Sequence, residues 1–258
     1  MNSRISAIAS NTFREAVRDR VLYNLIGFAV LMAGASILVG QISIDIEKLV
    51  VINLGLTVVS LFGVVMAIFI GIGLVSKEID KRTLYTVLSR PVQRWEFILG
   101  KFFGLAGTLA VNSACMAVGV FLSMLYVAHH LVKTDSSVLV ALYFIVLEFL
   151  MVTALALLFS SFSSPLLAAV FAFALFVIGS FSEDLRGVAA MSKGLSHWLI
   201  TGVAYVVPNF SALNVISSVA HGESIAGKLI LANTAYAFFY AAMALCGAVL
   251  IFERRNLK

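Results

Sequence analysis

Six long apolar runs dominate this chain of 258 residues. A helix needs about 20 predominantly apolar residues to cross the roughly 30 Å hydrocarbon core of a bilayer. In chain order the runs are Val21–Gly40, Leu49–Val75, Phe102–Ala128, Val138–Phe159, Leu166–Ser182 and Leu229–Phe252. Hydrophobic residues make up 61% of the sequence and charged residues 12%, which leaves too little polar surface for a soluble domain. The sequence therefore predicts an all-α polytopic membrane protein with six transmembrane helices.

Basic residues cluster between alternate runs. Thirteen of the 18 Lys and Arg residues lie before the first run, between the second and third runs, or after the sixth. The positive-inside rule makes that face cytoplasmic. We therefore expect both termini in the cytoplasm, a cytoplasmic loop at 76–101 and an external loop at 183–228, within one domain spanning 1–258. The net charge of +5 follows from this orientation, and no basic–aromatic pattern indicates a nucleic-acid partner.

Two shorter segments are predicted to lie at the membrane surface. Residues Ser3–Arg20 carry apolar positions every three or four residues, which indicates an amphipathic helix in the cytoplasmic interface, with a merely basic tail as the alternative. Leu195–Val207 is apolar but has only 13 residues before Pro208. A run of that length is typical of a re-entrant or interfacial helix.

Polar residues inside the apolar runs are candidates for a substrate pathway. Asn53, Thr57 and Ser60 fall on one helix face. They line a transport route or hydrogen-bond to a neighbouring helix, and the pattern favours neither. Glu148 is the eleventh of the 22 residues of the fourth run, where a charge costs about 3 kcal/mol or more. It is a functional acid or a neutral acid bonded to a neighbouring helix.

Other motifs in the runs point to packing. Gly100, Gly104 and Gly107 begin the third run with the spacing of closely approaching helices, which favours packing over a phosphate site. No nucleotide-binding pattern Gly-x4-Gly-Lys-Ser/Thr occurs. We also find no convergent set of catalytic side chains or metal ligands, which disfavours an intramembrane enzyme.

The segment between the second and third runs combines charge with an apolar stripe. Ile79, Leu84, Val87 and Leu88 recur at helical spacing, and Pro91 then ends the helix. Such a helix can dock in a groove on another protein. It can equally cover the cytoplasmic ends of the chain's own spans, and the pattern alone gives both interpretations the same weight.

This segment resembles the signature of the ABC-2 type permease family, the membrane subunits of type V ABC exporters. The family pattern has a Glu, a Thr-Leu pair about five residues later, a Leu-Ser-x-Pro-Val-x-Arg-x-Glu-Phe stretch and then Gly-Lys. The matching positions here are Glu78, Thr83–Leu84, Leu88–Phe97 and Gly100–Lys101. The six-run layout and the basic N-terminal helix are also similar to the family, whereas Arg82 stands where the family often has Gly.

The resemblance implies a permease that pairs with a second permease and with two separate ABC ATPase subunits in a bacterial or archaeal inner membrane. It implies no cofactor on this chain, with ATP and Mg bound by the ATPase, and a substrate route along spans two and five. The coupling contacts to the ATPase would be Glu78, Ile79, Thr83, Leu84, Leu88, Pro91 and Arg94. The alternative function is a self-sufficient secondary transporter or channel with Glu148 as its ion or proton site.

Overall fold

A computed structural model describes residues 2–17, 22–41, 47–80, 93–128 and 136–254. The regular structure within these ranges is helical, which confirms the all-α prediction. The helices are α1 (Asn2–Ala16), α2 (Leu22–Gly40), α3 (Glu47–Asp80), α4 (Arg94–Ala128), α5 (Ser137–Ser160), α6 (Pro165–Ser180), α7 (Ser182–Met191), α8 (Leu195–Val206), α9 (Ile216–Ala220) and α10 (Gly227–Arg254), with a 3-10 turn at Ser211–Leu213.

The described helices provide four to six candidate membrane spans. Four of them, α3, α4, α5 and α10, are each long and apolar enough to cross a bilayer. Two bent pairs raise the number to six if each pair forms one span: α6 with α7, bent by 59°, and α8 with the residues up to Ala220, bent by 52°. These six candidates differ from the six predicted spans. The bent pair that begins with α8 was not predicted as a span, and α2, which was predicted as one, is a shorter apolar helix.

The helices α3 and α4 extend well beyond their apolar runs. They have 34 and 35 residues, so each is about 50 Å long at about 1.5 Å per residue. The hydrocarbon core is only about 30 Å thick. Both helices are therefore longer than the hydrocarbon core is thick, and they extend past their apolar runs by residues 76–80 in α3 and 94–101 in α4.

The helix α5 lies at the centre of the bundle and is the most buried of the four long candidate spans. It contacts α3, α4, α6 and α10. At its closest approach to α3, the buried ring of Phe149 lies against Gly63 and occupies the space that a Cβ atom would need. The absence of a side chain at Gly63 therefore sets the distance between these two helices.

The helix α6 packs on the bundle through a narrow seam of small residues. Ala168, Ala172 and Gly179 are its buried positions, whereas large apolar side chains such as Leu166 and Phe173 are exposed. A predominantly apolar helix with so little buried surface presents a wide face to lipid or to another membrane subunit.

The N-terminal helix α1 ends at Ala16 and overlaps the segment 3–20 that the sequence predicts as an amphipathic helix. It packs against α4, with Thr12 and Ala16 buried and Arg4 and Arg14 exposed. Residues 18–20 of the predicted helix lie outside the described residues. Packing on α4 joins α1 to the bundle, while its depth in the bilayer stays a prediction.

Candidate functional site

The first turns of α4, from Arg94 to Gly104, hold several helices together, and we call this segment the α4 base. Its first turn carries part of a capping box, because the backbone N–H of Gln93 donates to Oε2 of Glu96 at 3.0 Å. The indole N–H of Trp95 donates to the side-chain oxygen of Gln93. The first of these contacts satisfies a backbone donor that has no partner within the helix, and the second joins two side chains of the same turn. The start of α4 is thereby fixed in the sequence Gln-Arg-Trp-Glu.

Arg94 joins the α4 base to the end of α10. Its Nη1 donates to the carbonyl oxygens of Phe252 at 2.8 Å and Glu253 at 2.7 Å. The last carbonyls of a helix lack intrahelical partners and carry partial negative charge, so a guanidinium there satisfies both needs. The rings of Phe97 and Phe252 stack with centroids 6.0 Å apart. Arg94, predicted as a coupling contact, therefore fastens the final helix to α4.

A seam of glycines on α4 receives α1. A Cβ atom at Gly100 would lie 2.6 Å from the side chain of Ile8, and one at Gly104 would lie 2.6 Å from the carbonyl oxygen of Ala9. A Cβ at Gly107 would make an ordinary 3.6 Å contact with Phe13. The predicted close approach is therefore confirmed at Gly100 and Gly104, where the partner is α1, but not at Gly107.

Two charged side chains are buried in the α4 base. Glu96 and Lys101 are each 2% exposed, and a buried charge needs compensating contacts. Arg4 of α1 places Nη1 3.9 Å from Oε2 of Glu96. The ammonium of Lys101 lies 5.6 Å from the centroid of the Phe97 ring, within the range of a cation–π contact. The Arg4–Glu96 pair thus links α1 to α4, whereas the Lys101–Phe97 contact lies within α4.

The other predicted coupling residues lie in the last turn of α3 and in the connection from α3 to α4. Glu78 and Ile79 belong to the last turn of α3. Thr83, Leu84, Leu88 and Pro91 lie outside the described residues. The predicted coupling segment therefore begins as a continuous extension of the α3 helix and leads into the α4 base.

The predicted substrate-pathway residues lie on α3 and α5, and two of the four are in contact. The hydroxyl of Ser60 on α3 donates to Oε2 of Glu148 on α5 at 2.8 Å. Asn53, Ser60 and Glu148 are half-buried and Thr57 is exposed. The geometry brings two of the four predicted residues into direct contact and leaves the other two on the same face of α3 as Ser60.

A polar cluster around Asn209 was not predicted from the sequence. Its side-chain oxygen accepts hydrogen bonds from the hydroxyls of Ser182 and Ser211, at 2.5 and 2.7 Å, and from the N–H of Ala212 at 3.1 Å. Its own N–H donates to the hydroxyl of Tyr236 on α10 at 2.8 Å. The Pro208–Asn209 pair at the end of an apolar run was the available signal, since both residues favour turns.

Asn112 of α4 is a second polar residue whose role was not predicted from the sequence. It is fully buried, with its side-chain nitrogen 3.4 Å from the sulfur of Met66 and 3.7 Å from that of Met116. A polar side chain inside an apolar run was the available signal. Its thioether contacts assign it to the packing between α3 and α4.

These features suit a protein that transmits movement. The α4 base ties three helices at one end of the bundle, and polar groups line part of the bundle centre. The sequence from residue 6 to 257 matches the model of a family described as "ABC-2 family transporter protein". No curated protein matches the chain. The chain therefore belongs to the ABC-2 transporter family and is a multi-pass membrane subunit with the permease role in an ABC exporter, in a family whose membrane subunits lack the ATPase domain.

Proposed function

We propose that a separate ABC ATPase drives export by gripping the coupling loop at residues 76–101 from the cytoplasmic side. The arrangement of the α4 base carries this proposal. The loop ends in the first turns of α4, and in this α4 base α1 packs against glycines and α10 is bound through Arg94. A displacement of the loop would therefore move α1, α4 and α10 together.

The length of the two helices that flank the loop supports the same mechanism. Each of them, α3 and α4, continues for about 50 Å without a break in its helical hydrogen bonding. Packed helices transmit a displacement as a shift between discrete arrangements, because close-packed cores are not continuously deformable. Movement at Glu78 and Ile79 would reach Asn53, Thr57 and Ser60 along the one helix α3.

We infer that the transporter contains two such membrane subunits, either two copies or two related chains. The helix α3 exposes Thr57, Leu61, Val65 and Phe69 at intervals of four residues. This stripe and the wide apolar face of α6 are suited to a second subunit in the membrane. The substrate route would then run between the subunits, along the polar face of α3.

The orientation of the chain follows from its charges. Thirteen of its 18 basic residues lie on the face that holds both termini and the coupling loop. That distribution supports a cytoplasmic position for this face in an inner membrane. ATP and Mg would bind to the ATPase beneath it, and lipid would surround the remaining apolar surface.

Charge reversal at Glu78 tests the coupling. We expect Glu78→Lys to weaken association with the ATPase at least about thirtyfold, because loss of one member of a buried interfacial charge pair costs about 2–5 kcal/mol. The measurements are co-purification of a co-expressed ABC ATPase and its ATP turnover in nanodiscs. Glu223→Lys is the matched control, since Glu223 is exposed in the predicted external loop. Unchanged co-purification and turnover for Glu78→Lys would contradict the coupling role.

A further inference from the structure

We propose that Glu148, together with Ser60, is the recognition point for an organic cation with apolar substituents, and that the exported substrate belongs to this chemical class. The inference rests on the proposed substrate route along α3. It adds the charge and the apolar character of the molecule that uses this route.

Glu148 occupies an unusual position for a carboxylate. It is the twelfth of the 24 residues of α5, halfway along the most buried of the long candidate spans. Its neighbours Phe144, Phe149, Met151 and Val152 are each at most 1% exposed. The side chain of Glu148 is nevertheless half-buried rather than buried. Glu148 therefore retains some exposed surface on a helix face whose other members, such as Phe144 and Met151, are fully buried.

Within the described residues, the negative charge of the Glu148 carboxylate is only partly compensated. The Ser60 hydroxyl supplies one hydrogen bond, at 2.8 Å, but brings no positive charge. The basic residues on the long described helices lie near helix ends, at Lys48, Lys77, Arg94, Lys101, Lys228 and Arg254. A charge in the middle of a membrane span is unfavourable without a counter-charge. A cation bound beside the exposed part of Glu148 would supply this counter-charge.

The surroundings of the carboxylate favour an organic cation over a bare metal ion. Calcium and magnesium take about six to eight oxygen ligands, and Glu148 and Ser60 offer one carboxylate and one hydroxyl. An ammonium or phosphonium group needs a single counter-charge and tolerates apolar contacts. The exposed residues beside Ser60 on α3 are Thr57 and Leu61, so one hydroxyl and one apolar side chain adjoin the charged point.

A pair of ions with the same shape and opposite charge tests the proposal. Tetraphenylphosphonium and tetraphenylborate are compared by equilibrium binding to the purified full chain in nanodiscs, with empty nanodiscs subtracted. We expect saturable binding of the cation and none of the anion. We expect Glu148→Gln to weaken binding of the cation at least about thirtyfold, which is typical for removal of one buried charge partner. The control Glu223→Gln should bind as the unmodified chain does.

A double variant that moves the carboxylate to α3 provides a second test, which remains valid if Glu148→Gln alone perturbs folding. In the double variant Ser60→Asp with Glu148→Gln, the carboxylate moves across the 2.8 Å contact to α3, and binding of tetraphenylphosphonium should return. Equal binding of both ions, or undiminished binding to a folded Glu148→Gln chain, would overturn the proposal and assign Glu148 to packing or to proton binding. Co-purification of the ATPase is measured separately, so failure here leaves the coupling mechanism standing.

Discussion

Replacement of Gly104 by alanine is expected to displace α1 from α4. The new Cβ would lie 2.6 Å from both the carbonyl oxygen of Ala9 and the Cβ of Thr12. The oxygen belongs to the backbone of α1, so no side-chain rotation relieves the clash and the whole helix must shift. Overpacking of this kind typically costs about 1–3 kcal/mol, and we expect the upper end here. The protein should also lose the stimulation of ATP turnover by substrate, because α1 would no longer move with the α4 base.

The same substitution three residues further along α4 provides a matched control. A Cβ at Gly107 meets Phe13 at an ordinary 3.6 Å, so Gly107→Ala should leave both stability and turnover near those of the unmodified chain. Thermal unfolding in nanodiscs and cleavage of α1 by trypsin at Arg4 and Arg14 report the displacement. Equal protease resistance of the two variants would show that the glycine seam does not position α1.

Replacement of Gly179 by alanine is expected to have the largest effect on the opposite end of the bundle. Its Cβ would enter the space of the Pro208 carbonyl oxygen and lie 2.6 Å from the Phe210 ring. The carbonyl of Gly179 also accepts the N–H of Phe210 at 3.1 Å. The segment that follows α8 must therefore move away from α6, and the hydrogen bond between Ser182 and Asn209 is lost. We expect about 3 kcal/mol of destabilisation, the upper end for overpacking.

Gly187→Ala in the neighbouring helix α7 is the control for this substitution. A Cβ at Gly187 meets no atom within 4 Å, and alanine is the better helix former. Thermal unfolding of the two variants in nanodiscs should therefore differ by several degrees, with Gly179→Ala the less stable. Identical unfolding temperatures would mean that the segment at 208–213 is not held against α6 in solution.

The sequence was informative where the signal is local. Apolar runs predicted the long helices, and the three-and-four-residue spacing from Ser3 predicted α1. The interval between Gly100 and Gly104 predicted close helix packing, although it could not identify α1 as the partner. These features depend on residues within a few turns of one another, which is the range over which helical periodicity carries information.

Contacts between distant segments could not be read from one sequence. Ser60 and Glu148 are 88 residues apart in the chain, and each was noticed only as a polar residue inside an apolar run. Arg94 binds carbonyls 158 and 159 residues away, so its charge gave no indication of the helix that it would meet. A helix was predicted around Ile79, but its continuity with α3 was not, because hydropathy marks where a span leaves lipid rather than where a helix ends.

The proposed export mechanism depends on contact between the coupling loop and an ATPase. Photo-crosslinking tests this contact most directly. Benzoylphenylalanine is introduced in cells at position 84, or at position 198 as a control, since Trp198 is 77% exposed in the predicted external loop. Mass spectrometry then identifies the attached chains. We predict that position 84 attaches a protein carrying the Gly-x4-Gly-Lys-Ser/Thr motif and that position 198 does not. The absence of any such protein at position 84, or equal attachment at both positions, would contradict the account.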